Sequence, residues 1–181
     1  MTANKPNRSF VAIFAFSLLL SFSYSVAARS RVATTANVTP AAFQNPAIYP
    51  IKDAGLQFEA PKGWKVETTD GNVVLSVADG ALSVTLLVED DYEQAMTGMK
   101  SALKEKLTEL KPDGERKTET HNGMIHIEEA GTGLMKGVKI TWSIDVLKAA
   151  RNVTILTFGI DSVFEAHSEE YLKFVTSLKK I

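Results

Sequence analysis

Residues 117–128, KTETHNGMIHIE, carry two of the chain's three histidines and two carboxylates within one short stretch. Asn122-Gly123 in its middle is the dipeptide that a two-residue hairpin turn favours, because both turn positions need a left-handed backbone. A two-residue loop pairs His121 with Met124, Glu119 with His126 and Lys117 with Glu128, so these six side chains share one face of the hairpin. Ile125 and Ile127 fall on the other face with Thr118 and Thr120, and the isoleucines are expected to take the core side. That leaves His121, His126, Glu119 and Glu128 together on an outer face, where two imidazoles and two carboxylates make a candidate zinc or copper site. The competing reading is a solvated, charge-paired face in which Lys117 repels a cation.

Other chemistries find less support. The chain has no cysteine, which removes thiol nucleophiles, redox pairs and disulfide staples. No Gly-x-Ser-x-Gly elbow, His-Glu-x-x-His helix or phosphate loop occurs. GTGLMKG (residues 131–137) imitates a dinucleotide fingerprint, but its last glycines are one residue too far apart, and it is expected to be a hairpin loop between two strands. No helix N-terminus follows it to hold a pyrophosphate. Leu134 and Met135 at the tip of that loop are candidate partner contacts. No catalytic residue and no cofactor is assigned, the metal on the 117–128 hairpin excepted.

The elements that must position these residues read as follows. Lys5 and Arg8 precede an uncharged apolar run, Phe10 to Phe22, and small residues follow, which together read as a secretory signal over 1–27. An uncleaved membrane anchor is the alternative. Residues 28–50, rich in Ala, Thr, Asn and Pro, read as a disordered linker. Residues 51–181 are long enough for one domain with its own core. With 20 basic against 21 acidic side chains the chain lacks the basic stripe that nucleic acid or an anionic membrane would call for.

Within that domain Leu56, Phe58 and Ala60 alternate up to Pro61. Gly63 and Trp64 complete a Pro-Lys-Gly-Trp corner, read as a bend pinned by its tryptophan. Asp79-Gly80 separates two further strands, the second alternating Leu82, Val84, Leu86 and Val88. Tyr92, Met96, Met99, Leu103, Leu107 and Leu110 then recur at helical spacing, predicting an amphipathic helix that runs until Pro112. Val138, Ile140, Trp142, Ile144 and Val146 alternate on a later strand. Residues 161–181 read as a C-terminal helix burying Phe164, Tyr171, Phe174 or Val175, and Leu178. The expected class is α+β: a mainly antiparallel sheet of about six or seven strands flanked by two helices.

This element order, with Pro61, Gly63 and Trp64 after the first strand and Gly131, Gly133 and Gly137 before a tryptophan-bearing strand, resembles the PsbP-like and DcrB-like domains. The resemblance spans Leu56 to Leu178 and rests on turn glycines and core aromatics. It implies an α/β/α sandwich in an exported protein. It also implies a non-enzymatic module, periplasmic or secreted, that binds a protein partner and assists its assembly. The alternative is a small periplasmic metal- or ligand-binding protein using the 119–128 face.

Overall fold

The computed structural model describes residues 47–69 and 72–181. The expected signal segment, and the linker as far as residue 46, lie outside the described residues. Strand β1 (Ile48–Ile51) begins inside the stretch expected to be linker. Tyr49 stacks on Phe58 at 5.4 Å between ring centroids, and β1 pairs along its whole length with β2 (Leu56–Glu59). Two prolines and few periodic positions concealed that strand, because its partner is supplied by the next segment rather than by its own pattern.

Eight strands form the main antiparallel sheet: β3 (Lys65–Thr69), β4 (Asn72–Ser76), β5 (Leu82–Glu89), β6 (Thr108–Pro112), β7 (Lys117–His121), β8 (Met124–Met135), β9 (Val138–Lys148) and β10 (Asn152–Ile160). Their spatial order is β3-β4-β5-β10-β9-β8-β6, with β7 also pairing β8. A small second sheet joins β1, β2 and the two-residue β11 (Lys179–Lys180). The helices are α1 (Tyr92–Lys106), α2 (Asp161–Ala166) and α3 (Ser168–Ser177).

Pairing register separates the two faces of the main sheet. Leu75, Val84, Leu86, Ile155, Leu147 and Met124 share one face and form a single buried cluster with Leu56, Phe58, Phe174 and Leu178 of the small sheet and C-terminal segment. On the opposite face Ile140, Trp142, Ile144, Val146 and Leu156 are buried. There α1 buries Ala95, Met96, Met99 and Leu103. Asp91 caps α1 by accepting from the Gln94 amide at 3.1 Å. Arg116 spans Glu93 of α1 and Glu129 of β8, and Lys100 also reaches Glu129 at 2.8 Å. Both faces of the sheet are therefore covered, which is the α/β/α sandwich.

Three expectations about elements change. The helix ends at Lys106, and Leu110 lies in edge strand β6, whose register shifts between Thr108 and Lys111 around Glu109 (φ +50°). The Asp79-Gly80 turn is part of a longer loop, since Val77 and Leu82 are joined by the Val77 amide and the Leu82 carbonyl. The C-terminal helix breaks at His167 (φ −107°, ψ 12°), which ends α2 and precedes α3.

Candidate functional site

The 117–128 hairpin has the expected register: Glu119 opposes His126, Lys117 opposes Glu128 and His121 opposes Met124. Asn122 (φ +48°) and Gly123 (φ +72°) form the two-residue turn. The face is the reverse of the expectation. His126 and Met124 are buried, while Ile125 is 47% exposed; Ile127 is buried on the α1 side. His126 points into the layer beneath α3, where Met124 meets Phe174 and Leu178. The expectation failed because it assumed one core side and one wet side, and a sheet sandwiched between helices has no wet side at its centre.

Burial brings partners that the hairpin alone does not contain. His126 Nε2 lies 2.8 Å from Asp145 Oδ1 on β9, and its Nδ1 lies 3.1 Å from Glu119 Oε1. Ser143 Oγ donates to Asp145 Oδ2 at 2.8 Å. The Tyr171 hydroxyl of α3 accepts from Thr157 Oγ1 at 3.0 Å and shares a 3.3 Å contact with Ser143 Oγ. A continuous polar chain thus runs from Glu119 at the surface through His126, Asp145 and Ser143 to Tyr171 and Thr157. Asp145 and Ser143 carry no signal in the sequence, and Tyr171 is expected there only as a buried residue of the C-terminal helix. Ser143 and Asp145 alternate with the apolar Trp142 and Ile144, which is what a solvent-facing row also looks like.

The electrostatics follow from this geometry. A hydrogen bond to Asp145, its charge, and then the bond and charge of Glu119 raise the His126 pKa above its ordinary value, against the opposing effect of burial. Burial and then the Asp145 charge hold Glu128 above the usual carboxylate range. Burial pushes Tyr171 well up, so it acts as a neutral hydroxyl. As an imidazolium His126 donates from both ring nitrogens to carboxylates and offers no lone pair to a metal. His121 stands 6.2 Å away, ring centroid to ring centroid, beside the Asn122 amide. Among the described residues no group of three or more His, Asp or Glu is arranged to hold a metal ion. Ser143 donates to Asp145 and not to His126, so the serine and the imidazole do not form the direct pair of a serine–histidine nucleophile.

Leu134 and Met135 are the last two residues of β8, not a loop tip. Both are half-buried and point to opposite faces, so they form no common patch. The turn is Lys136-Gly137 (φ +51° and +81°). Gly131 and Gly133 therefore lie inside the strand, Gly131 directly opposite Trp142.

The Pro61–Trp64 corner is a bend. The Trp64 amide donates to the Pro61 carbonyl at 3.2 Å with Gly63 at φ +84°. Trp64 Nε1 donates to Glu170 Oε2 at 3.0 Å, and its ring meets His167 edge-on at 6.0 Å. The corner also forms one wall of an open groove of about 760 Å³, whose other walls are the hairpin tip and the end of α3. Asn122 Nδ2 ties the tip to the Thr176 and Leu178 carbonyls at 3.1 and 2.7 Å. Lys62, Lys173 and Lys179 line the groove, with Glu59 and Phe174 among its other residues.

No family model and no curated protein matches the chain. Among solved structures, cyanobacterial PsbP (CyanoP) from Synechocystis sp. PCC 6803 superposes with a TM-score of 0.60 at 9% identity, over 81% of this chain and 99% of that one. PA94 from Pseudomonas aeruginosa superposes at 0.44 with 10% identity, over 72% and 93%. LpqN, involved in cell envelope biogenesis of Mycobacterium tuberculosis, gives 0.45 at 9%, over 76% and 86%. The chain has the PsbP-like fold, two helical layers about a mainly antiparallel sheet.

Proposed function

We propose that this chain is an exported, non-enzymatic module that binds a protein partner and assists its assembly. The observation that carries the reading is the open groove between the Pro61–Trp64 corner, the Asn122 tip and the end of α3. Its three lysines favour an acidic segment, which they would attract and orient, while half-buried Pro61 adds apolar contact. Two further observations support a binding role. His126 has a carboxylate at each ring nitrogen and Ser143 is bonded to one of those carboxylates, so the polar chain contains no direct serine–histidine contact. The PsbP-like fold accords with the assembly-assisting role that the Pro-Lys-Gly-Trp resemblance implies. Among the described residues no helix is long and apolar enough to cross a membrane.

The test is cross-linking in the source envelope, followed by affinity measurement with the recovered partner and a K62E/K173E/K179E variant. Charge reversal should weaken binding at least about tenfold, mainly through the association rate and less so at high salt. A partner bound with unchanged affinity and salt dependence would remove the groove from the account. N-terminal sequencing of the same material should find a mature chain starting at Ala28.

A further inference from the structure

We propose that the proton on His126 is a latch that holds edge strand β7 to the sheet through Glu119, and that losing this proton releases β7. The strand is thinly held. Every β7 residue but the half-buried His121 is exposed, and its ladder reaches only β8. The contact between Glu119 and His126 Nδ1 is a side-chain tie from the middle of β7 to a buried group. An imidazolium donates from both nitrogens, but a neutral imidazole has one N–H and one lone pair.

The two carboxylates do not compete equally for a single N–H. Asp145 is buried with His126 and closer, at 2.8 Å, whereas the Glu119 side chain is 66% exposed at 3.1 Å. Water solvates Glu119 and leaves Asp145 dependent on the ring, so the remaining N–H stays with Asp145. The Nδ1 lone pair then faces the Glu119 carboxylate, and attraction becomes repulsion.

The neighbouring groups set the direction of this response. On β7 they are Glu119, Lys117 opposite Glu128, and His121 with its ring 6.2 Å away. On β8 there is Glu128, on β9 Asp145 with the Ser143 hydroxyl, and on α3 the Tyr171 hydroxyl. Three carboxylates against Lys117 and one ring favour the protonated ring. The latch is therefore closed below the ordinary imidazole value, about 6.5, and opens as pH rises through the higher folded value. The Asn122 bonds to Thr176 and Leu178 hold no proton in common with it, so opening is confined to 117–121. Release uncovers the edge of β8 along 124–128.

Nuclear magnetic resonance of the labelled full chain tests this, following the His126 ring and the backbone amides from about pH 5 to about pH 10. Amides 117–121 should shift with the ring's own midpoint and become exchange-labile above it. In Glu119→Gln the amide can accept from the imidazolium or turn over and donate to the lone pair, so the β7 transition should disappear while the ring still titrates. Because residue 119 is exposed, this variant should fold normally. The latch is overturned by β7 amides that ignore the ring's titration, and equally by a Glu119→Gln chain that keeps the full transition.

Discussion

Gly131→Ala separates a glycine needed for a turn from one needed for packing. Gly131 lies inside β8 with no positive φ, so alanine brings no backbone strain there. The methyl, however, would stand 2.6 Å from Trp142 Cζ2 and 2.9 Å from Pro112 Cα, and closer still to the Lys111 carbonyl oxygen. Carbon atoms rest at about 3.5–4.0 Å, so the overlap is about 1 Å on two sides at once. Trp142 is 2% exposed beneath α1 and cannot swing away, which leaves β6 to move. Its displacement would disturb the Lys111–Thr132 and Pro112–Gly131 pairs and the Asp113 amide bond to Ala130. The expected cost is about 1–3 kcal/mol, the ordinary range for overpacking a filled core. At about 3–5 °C per kcal/mol for a domain of this size, the thermal midpoint should fall by about 3–15 °C. Urea titration followed by tryptophan fluorescence would measure it. Gly137→Ala is the control: its neighbourhood is open, and φ +81° alone should cost about 1 kcal/mol. A Trp142→Phe background should absorb part of the Gly131→Ala penalty, since the smaller ring vacates the contact. Full stability of Gly131→Ala, or strict additivity with Trp142→Phe, would refute the close approach of β6 to the tryptophan.

Two further substitutions probe the polar chain. Asp145→Asn keeps shape but strips His126 of its buried counter-ion, so the ring should sheds its proton nearer to its ordinary value or below it. The loss should be about 2–4 kcal/mol at about pH 5.5 and clearly smaller at about pH 9, because the wild-type pair contributes most where His126 is charged. Urea midpoints at the two pH values decide it, and equal losses would count against a charged ring. Tyr171→Phe leaves the buried Thr157 and Ser143 hydroxyls each one partner short. It should cost about 1–2 kcal/mol with little dependence on pH in that same range, read from the same titrations.

Much of the architecture is written in local pattern. Alternation at Leu82, Val84 and Leu86 and along Val138–Val146 marks strands whatever covers them, because the pleat has a period of two. The three-and-four spacing of Met96, Met99 and Leu103 likewise marks α1, and Asn122-Gly123 sets the β7–β8 register. Turn chemistry and periodicity are properties of a few consecutive residues, so they need no tertiary partner to be legible.

What the sequence by itself determined is therefore the identity of most elements, the hairpin register that pairs Glu119 with His126, and the Pro-Lys-Gly-Trp bend. The tertiary structure alone decided which way His126 points, because α1 and α3 cover both faces and only their packing assigns each face its neighbours. It alone brought Asp145 to that ring, over 19 residues of chain, set Tyr171 against the Ser143 hydroxyl beyond it, and turned Leu110 from a helix stripe into edge strand β6. It also put Gly131 against Trp142. Each of these depends on contacts between segments far apart in sequence, and a periodic pattern records that a face is buried without recording what buries it.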